Sequence, residues 1–144
     1  MKIQTVRGTH DIYGEDLNTY NYIKETISKL AKIYDYQEII TPIFETTTLF
    51  KKPLGEHSDI VLKEMYSFDD QSGSSLTLRP EYTTPIIRAS ISNNFFDKLP
   101  VKLFGFGPMF RRERPQKGRY RQFNQINFEI FGSNDSYSDC EIIV

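Results

Sequence analysis

The sequence is poor in the residues that build disulfide frameworks and metal centres. It has one cysteine, two histidines and no tryptophan among 144 residues. A single cysteine, Cys140, cannot form a disulfide within the chain. His10 and His57 lie far apart in the sequence and have no other ligand residues at metal-binding spacing, so we interpret both as surface or loop residues. The sequence therefore predicts no internal disulfide and no metal site.

Long apolar runs are also absent. No run approaches the roughly 20 residues that a membrane-spanning helix needs, and the first residues, MKIQTVRGTHD, lack the apolar region of a signal peptide. These absences predict a soluble, cytoplasmic chain with no membrane partner. The net charge of −1, from 18 basic and 19 acidic residues, indicates nothing about nucleic acid.

The composition is typical of one folded domain, with 38% hydrophobic and 14% aromatic residues. Strands in hairpins with helices between them favour an α+β fold, in which an antiparallel β-sheet is flanked by helices. The chain ends in the apolar segment CEIIV, residues 140–144, without a helix stop signal, so we predict that the sequence is truncated. In the first half of the chain, we predict a helix at 15–35 capped by Asp16, an edge or interface strand at 36–45 whose β-branched run ends at Pro42, and two strands around a turn at Gly73 within 63–81. In the second half, we predict a helix at 83–94 capped by Thr83 or Thr84, and a helix after Asp135. Between these two helices, long strands at 101–113 and 120–132 are joined by a loop at 114–119.

Basic residues are concentrated in RRERPQKGRYR, residues 111–121, where six of eleven residues are Arg or Lys. Arg111 ends the first long strand, and Arg119 and Arg121 lie in or beside the turn. A polyphosphate lying across this hairpin would meet several cations, and arginine binds phosphate through two parallel hydrogen bonds. A solvated basic turn that protects a sheet edge from aggregation has the same pattern. Spacing alone leaves both interpretations open.

The second long strand carries a polar ladder on one face. Because side chains alternate along a strand, Phe123, Gln125, Asn127 and Glu129 share a face, and Arg111 can point to the same side. Two amides and a carboxylate are costly to bury without partners. We therefore expect this face to meet water or a polar ligand.

Glu81 lies in LTLRPEYTTP, residues 76–85, where a strand ends and the helix at 83–94 begins. A carboxylate there can simply complement the positive end of the helix dipole, which contributes about 0.3–1 kcal/mol. It can equally bind the ammonium group of a ligand. With Glu129 nearby, it would suit a zwitterionic substrate beside a nucleotide.

Taken together, these stretches resemble the class II aminoacyl-tRNA synthetases in the form of the histidyl-tRNA synthetase family. GPMFRRERPQKGRYRQFNQINFEIFG resembles motif 2 (near 104–132), and EIITPIFE resembles motif 1, the dimer-interface segment (near 36–50). LTLRPEYT resembles the histidine-binding stretch, and RGTHD and GEHSDIVLKEMYSFDD fit the front end. The resemblance covers nearly the whole chain in order, as the front part of the catalytic domain. Motif 3 and the anticodon-binding domain are absent from 1–144.

The resemblance implies roles for individual residues. For ATP, it implies that Arg111 binds the α-phosphate and is the catalytic residue, that Glu113 approaches adenine, that Arg119 reaches the outer phosphates and that Phe123 stacks on adenine. For histidine, the implied ligands are Glu81, Tyr82, Thr83, Arg111, Gln125 and Glu129. Among these, Glu81, Thr83 and Gln125 meet the α-ammonium and Glu129 reads the imidazole.

The resemblance also implies substrates and partners. These are L-histidine, ATP with its bound Mg²⁺, tRNA(His) in the full-length enzyme and a second copy of the chain in a homodimer. The implied reaction forms histidyl-adenylate and transfers the histidyl group to the 3′ end of the tRNA, although this chain alone is expected to be incomplete for catalysis.

Three positions depart from the expected pattern. Tyr82 stands where a small residue is expected, and Asn127 and Phe128 replace small residues between Gln125 and Glu129. Two other functions stay open at this point. One is the synthetase-like regulatory subunit of ATP phosphoribosyltransferase, against which the complete basic hairpin argues. The other is a non-catalytic truncated interaction module.

Overall fold

A computed structural model describes residues 3–55, 64–114 and 116–143 of the chain. The two strands predicted around Gly73 within 63–81 are described from residue 64, and His57 lies outside the described residues. The elements are α1 (Gly14–Ile33), β1 (Gln37–Glu38), β2 (Phe44–Thr46), α2 (Thr47–Leu54), β3 (Tyr66–Asp69), β4 (Ser75–Leu78), α3 (Thr83–Ser92), a 3-10 turn (Phe95–Asp97), β5 (Val101–Phe110), β6 (Gln122–Phe131) and α4 (Ser136–Ile143). No helix in these ranges is long and apolar enough to cross a membrane.

The long hairpin is the centre of the first sheet, which has the strand order β1-β5-β6. β5 and β6 pair antiparallel over their whole length, from Val101 opposite Phe131 to Phe110 opposite Gln122. This confirms the predicted hairpin. β1 joins β5 in a parallel arrangement, which the sequence pattern did not predict.

The second sheet has the order β2-β4-β3, and its strands pair antiparallel. The single strand predicted at 36–45 is wrong, because this stretch contributes β1 to one sheet and β2 to the other. Pro42 lies between the two strands, where its missing N–H does not interrupt a ladder. The turn between β3 and β4 is closed by Asp70, whose carboxylate accepts the N–H groups of Ser72 and Ser74 at 2.8 and 2.9 Å.

Both predicted helix caps are wrong. α1 begins at Gly14 after Tyr13, so Asp16 lies in the first turn and does not cap it. α3 has Tyr82 at its N-cap position and no cap from a threonine hydroxyl. Instead, the Glu81 carboxylate accepts the Thr84 N–H at 3.0 and 3.3 Å, and so satisfies one of the free amide groups at the helix start.

The two faces of the first sheet pack against different helices. Tyr82 and Ile86, at the start of α3, pack on Leu103 and Met109 on one face. On the other face, α1 and the turn after it cover Phe104 through Ala31 and Tyr36. Leu103 and Phe104 are only 2% and 3% exposed. The described residues therefore cover an apolar side chain of β5 on each face of this sheet.

Two glycines of β5 let the segment 79–82 lie directly on the sheet. A Cβ at Gly105 would lie 1.9 Å from Tyr82 Cε1, and one at Gly107 would lie 2.6 Å from Arg79 Nη2. Tyr82 is fully buried, and its hydroxyl donates to the Ile39 carbonyl at 3.2 Å. The bulk of Tyr82 is therefore accommodated by the absence of a side chain at Gly105.

We expect Gly105→Ala to lower the free energy of unfolding by about 1–3 kcal/mol, because the new methyl group would overlap the Tyr82 ring. Tyr82→Ala should also destabilise the chain, because it leaves a cavity in the core. The double variant should cost less than the sum of the two single changes, since each relieves the defect of the other. Urea denaturation of the four proteins tests this, and strictly additive costs would contradict it.

Candidate active site

A connected hydrogen-bond network links the start of α3 to the polar ladder of β6. Thr83 Oγ1 donates to Glu129 Oε1 at 2.6 Å, and Asn127 Nδ2 donates to the same oxygen at 2.6 Å. Asn127 Nδ2 also lies 3.3 Å from Thr83 Oγ1, and Gln125 Nε2 donates to Asn127 Oδ1 at 3.3 Å. The ladder is half-buried and its members bond to one another. The expected cost of burying these polar groups is thereby reduced.

Glu81 lies two residues before Thr83, which belongs to this network. Its carboxylate accepts the Thr84 N–H, which is the local helix-start interaction that the sequence left open as one reading of this residue. A carboxylate has about four acceptor positions, so this contact leaves capacity for a ligand.

Arg111 reaches the same face from the end of β5. Its Nε donates to the Pro80 carbonyl at 2.9 Å, and its guanidinium carbon lies 5.3 Å from the centre of the Phe123 ring. The Arg111 backbone N–H donates to the Arg121 carbonyl at 3.0 Å, which continues the hairpin beyond β5 and β6. Arg111 is therefore held between the Glu81 segment and the β6 face, with 27% of its side chain exposed.

Glu113 lies between two arginines. Its Oε1 is 4.0 Å from Arg111 Nη1 and its Oε2 is 2.6 Å from Arg119 Nε. The Arg119 N–H is not aligned with Oε2, and this buried oxygen accepts no hydrogen bond from the described residues. The Arg119 side chain is 59% exposed, whereas that of Glu113 is 11% exposed. The ion pair thus fixes an almost buried carboxylate beside a cation that still faces solvent.

The amino-terminal segment contributes another arginine to the basic hairpin. An open cavity of about 680 Å³ is lined by Arg7, Arg112, Glu113, Arg114 and Arg121. The Arg121 N–H donates to the Gly8 carbonyl at 2.7 Å, and His10 lies against Tyr120 with ring centres 4.8 Å apart. Sequence reasoning missed Arg7, although it lies in the RGTHD stretch that carries part of the resemblance.

The structure brings most of the predicted site residues to one region. Thr83, Gln125 and Glu129 share the network, and Arg111, Glu113, Arg119 and Phe123 form a second, contiguous group. Tyr82 is the exception, because its buried side chain points into the core and only its backbone remains for a ligand. In the described residues, no group of three or more His, Cys, Asp or Glu side chains is arranged to hold a metal ion.

The comparison with known proteins decides the family. The sequence model of histidyl-tRNA synthetase matches residues 8–144. The chain belongs to the histidyl-tRNA synthetase family. A histidine--tRNA ligase of Wolbachia pipientis wMel is 50% identical over 143 residues, which are 99% of this chain and 35% of that protein. The chain therefore spans about a third of the length of this relative.

Solved structures agree with the fold. An apo histidyl-tRNA synthetase of S. aureus matches with a TM-score of 0.82 and 38% identity, over 99% of this chain and 32% of that one. A Bacillus halodurans structure described as an ATP phosphoribosyltransferase regulatory subunit/histidyl-tRNA synthetase matches with the same TM-score at 25% identity, over 99% of this chain and 36% of that one. The chain thus has the class II synthetase catalytic-domain fold, and it covers part of that domain.

Proposed function

We propose that this chain is the front part of the catalytic domain of a histidine–tRNA ligase. The whole enzyme would activate L-histidine with ATP and transfer it to tRNA(His), and the isolated chain would be incomplete for catalysis. The observation that carries the proposal is the single polar surface on which Arg111, Glu113 and Arg119 adjoin the network of Thr83 and Glu129. Motif 3 and the anticodon-binding domain would lie outside 1–144.

The histidine site would be formed by α3 and β6. Glu129 Oε1 already accepts two hydrogen bonds, whereas Oε2 accepts none from the described residues and can accept a ring N–H of the imidazole. Glu81 and Gln125 would bind the α-ammonium with Thr83, whose hydroxyl donates to Glu129, accepts from Asn127 and keeps one lone pair for an ammonium N–H. Tyr82 would contribute through its backbone only.

The ATP site would be formed by the basic hairpin. Arg111 would bind the α-phosphate and the histidine carboxylate, and the exposed Arg119 would bind the outer phosphates. Glu113 would approach the adenine, and Phe123 would stack on it. Mg²⁺ would arrive bound to the ATP phosphates as part of the substrate.

The chemistry would need no protein nucleophile. The histidine carboxylate attacks the α-phosphate of ATP, the bond to the leaving pyrophosphate breaks, and histidyl-adenylate forms. Two anions must approach each other, so the main tasks of the protein are to hold them in line and to neutralise charge. Arg111 lies where the amino-acid surface and the phosphate-binding hairpin meet, which suits it to both tasks.

The regulatory-subunit alternative is less well supported. A regulatory protein has no need for the complete phosphate-binding array, yet the Arg111, Glu113 and Arg119 group is intact and connected here. The proposal also includes a cytoplasmic location and a homodimer formed through motif 1. Within 36–50, Ile40 is 79% exposed, and Ile43 and Phe44 are 45% and 52% exposed, as an interface would require.

The decisive experiment is calorimetry with a non-hydrolysable histidyl-adenylate analogue, with the prolyl analogue as the control. The full-length gene product that carries this chain should prefer the histidyl compound by about 10⁴-fold, because a site built around a ring N–H strongly rejects ligands without it. Equal affinity for both analogues would refute the proposed substrate. Repeating the titration with residues 1–144 shows whether this part binds on its own.

Glu129→Ala should lower kcat/KM for histidine in ATP–pyrophosphate exchange by about 10²–10³-fold, because the ring N–H loses a charged, half-buried acceptor. The KM for ATP should stay nearly unchanged, since Glu129 lies outside the basic segment 111–121. Glu25→Ala, which removes an exposed carboxylate from α1, is the control. An equal loss for both substrates would rule out the assigned role of Glu129.

The chain should form a dimer at micromolar concentration by light scattering. Ile40→Asp should shift it towards the monomer, because an isolated charge in an apolar interface is costly to bury. Ile33→Asp replaces an equally exposed isoleucine at the end of α1 and should leave the dimer intact. A monomeric starting protein would contradict the interface assignment.

A further inference from the structure

Asn127 is the centre of the network, although it stands where the resemblance leads us to expect a small residue. It bonds to Glu129 on one side and to Gln125 on the other, at 2.6 and 3.3 Å. In the register of the hairpin it lies directly opposite Gly105. A small side chain at 127 would leave Glu129 with Thr83 as its donor, so the second donor is a specific property of this chain.

The orientation of the Asn127 amide follows from the chemistry of its neighbours. An ionised carboxylate only accepts hydrogen bonds, so the NH₂ group of Asn127 must face Glu129. Its Oδ1 then faces Gln125, which can supply an N–H because its own amide carries two. The carboxylate thus determines the direction of the Asn127 amide, and that amide determines which group of Gln125 faces it.

The two donors to Glu129 converge on one oxygen. Thr83 approaches from α3 and Asn127 from the same strand, and both bond to Oε1. Hydrogen bonds to a charged acceptor are shorter and stronger than those between neutral groups. Together they restrain the carboxylate through Oε1 and leave Oε2 without a donor among the described residues, so that it can accept from a ligand.

The packing behind Asn127 supports this restraint. The Tyr82 ring occupies the space where a side chain at Gly105 would stand, directly across the strands from Asn127. Side chains in opposite positions of a hairpin lie within contact distance. The Tyr82 ring therefore closes one side of the space beside Asn127, so two departures from the expected pattern, Tyr82 and Asn127, lie at the same place.

We propose that Asn127 is a positioning residue that holds the Glu129 carboxylate in the orientation that accepts a ring N–H, and thereby sharpens selection of the imidazole side chain. The proposal rests on the function proposed above and adds to it a residue that acts through Glu129. Without Asn127, the carboxylate has more orientations to lose when the ligand binds, so affinity falls for histidine but not for ATP.

The kinetic test uses the full-length gene product with Asn127→Ala, and with Asn124→Ala as the matched control. Asn124 lies on β6 but on the opposite face and is exposed. In ATP–pyrophosphate exchange, Asn127→Ala should raise KM for histidine about tenfold, since a hydrogen bond to a charged group is lost. The KM for ATP should change by less than about twofold, because binding of ATP does not use Glu129.

The selectivity test uses 3-(2-thiazolyl)alanine, whose ring has no N–H. The preference for histidine over this analogue, taken from the two kcat/KM values, should fall about tenfold in Asn127→Ala. Asn127→Asp, which keeps the shape but places a second carboxylate beside Glu129, should lose more than the alanine variant. An unchanged preference, or an equal rise of both KM values, would overturn the proposal.

A ligand-free measurement separates this proposal from the proposed function. By NMR, the side-chain amide protons of Asn127 should exchange slowly with solvent, and Glu129→Ala should remove that protection while those of Asn124 exchange rapidly in both proteins. Fast exchange at Asn127 in the unmodified protein would overturn the positioning role whatever the substrate. Slow exchange together with no histidine-dependent activity would overturn the proposed function, and with it the selectivity role of Asn127.

Discussion

The hydrogen bonds of the buried Arg79 guanidinium are the interactions on which the rest of the site depends. Only 2% exposed, it donates to the Pro108 carbonyl at 2.9 Å and to the carbonyl and hydroxyl of Thr41 at 2.9 and 3.0 Å. Its carbon also lies 4.4 Å from the centre of the Tyr82 ring. One side chain thereby connects the end of β4 to β5 and to the segment between the first two strands. Burial lowers the pKa of Arg79, and the neighbouring Tyr82 and the negative charge of Glu45 offset part of that shift.

Arg79 and the residues that come after it in the chain connect this anchor to the site, one contact after another. The Arg79 carbonyl accepts the Phe110 N–H at 3.0 Å, which brings the end of β5 to the 79–82 segment. The next carbonyl, that of Pro80, accepts from Arg111, and the next side chain, Glu81, satisfies an amide group at the start of α3. Thr83 then reaches Glu129 on β6. The amino-acid surface and the basic hairpin are therefore fixed to each other by positions 79, 80, 81 and 83, which are anchored through one buried cation.

Two cations of the site, Arg111 and Arg119, share one carboxylate neighbour that limits their motion without neutralising both charges. Glu113 lies between Arg111 and Arg119, while Arg119 stays exposed. Glu129 is restrained by neutral donors, so it keeps its full negative charge for a ligand. An enzyme that joins two anions gains from such preorganised groups, because little reorganisation is needed when the substrates meet.

The sequence by itself determined most of the elements, but not the division of 36–45 into β1 and β2 or the helix α2. Strand alternation predicted the β5–β6 hairpin and placed Gln125, Asn127 and Glu129 on one face, because these depend on local spacing. Local spacing did not reveal that β1 joins β5 in parallel, that Glu81 rather than a threonine satisfies the start of α3, or that Leu103 and Phe104 are covered. The tertiary structure also decided that Tyr82 fills the space over Gly105 and that Asn127 completes the contacts of Glu129. These features join residues more than 20 positions apart or depend on the direction of a side chain, and both are fixed only when the helices pack on the sheet.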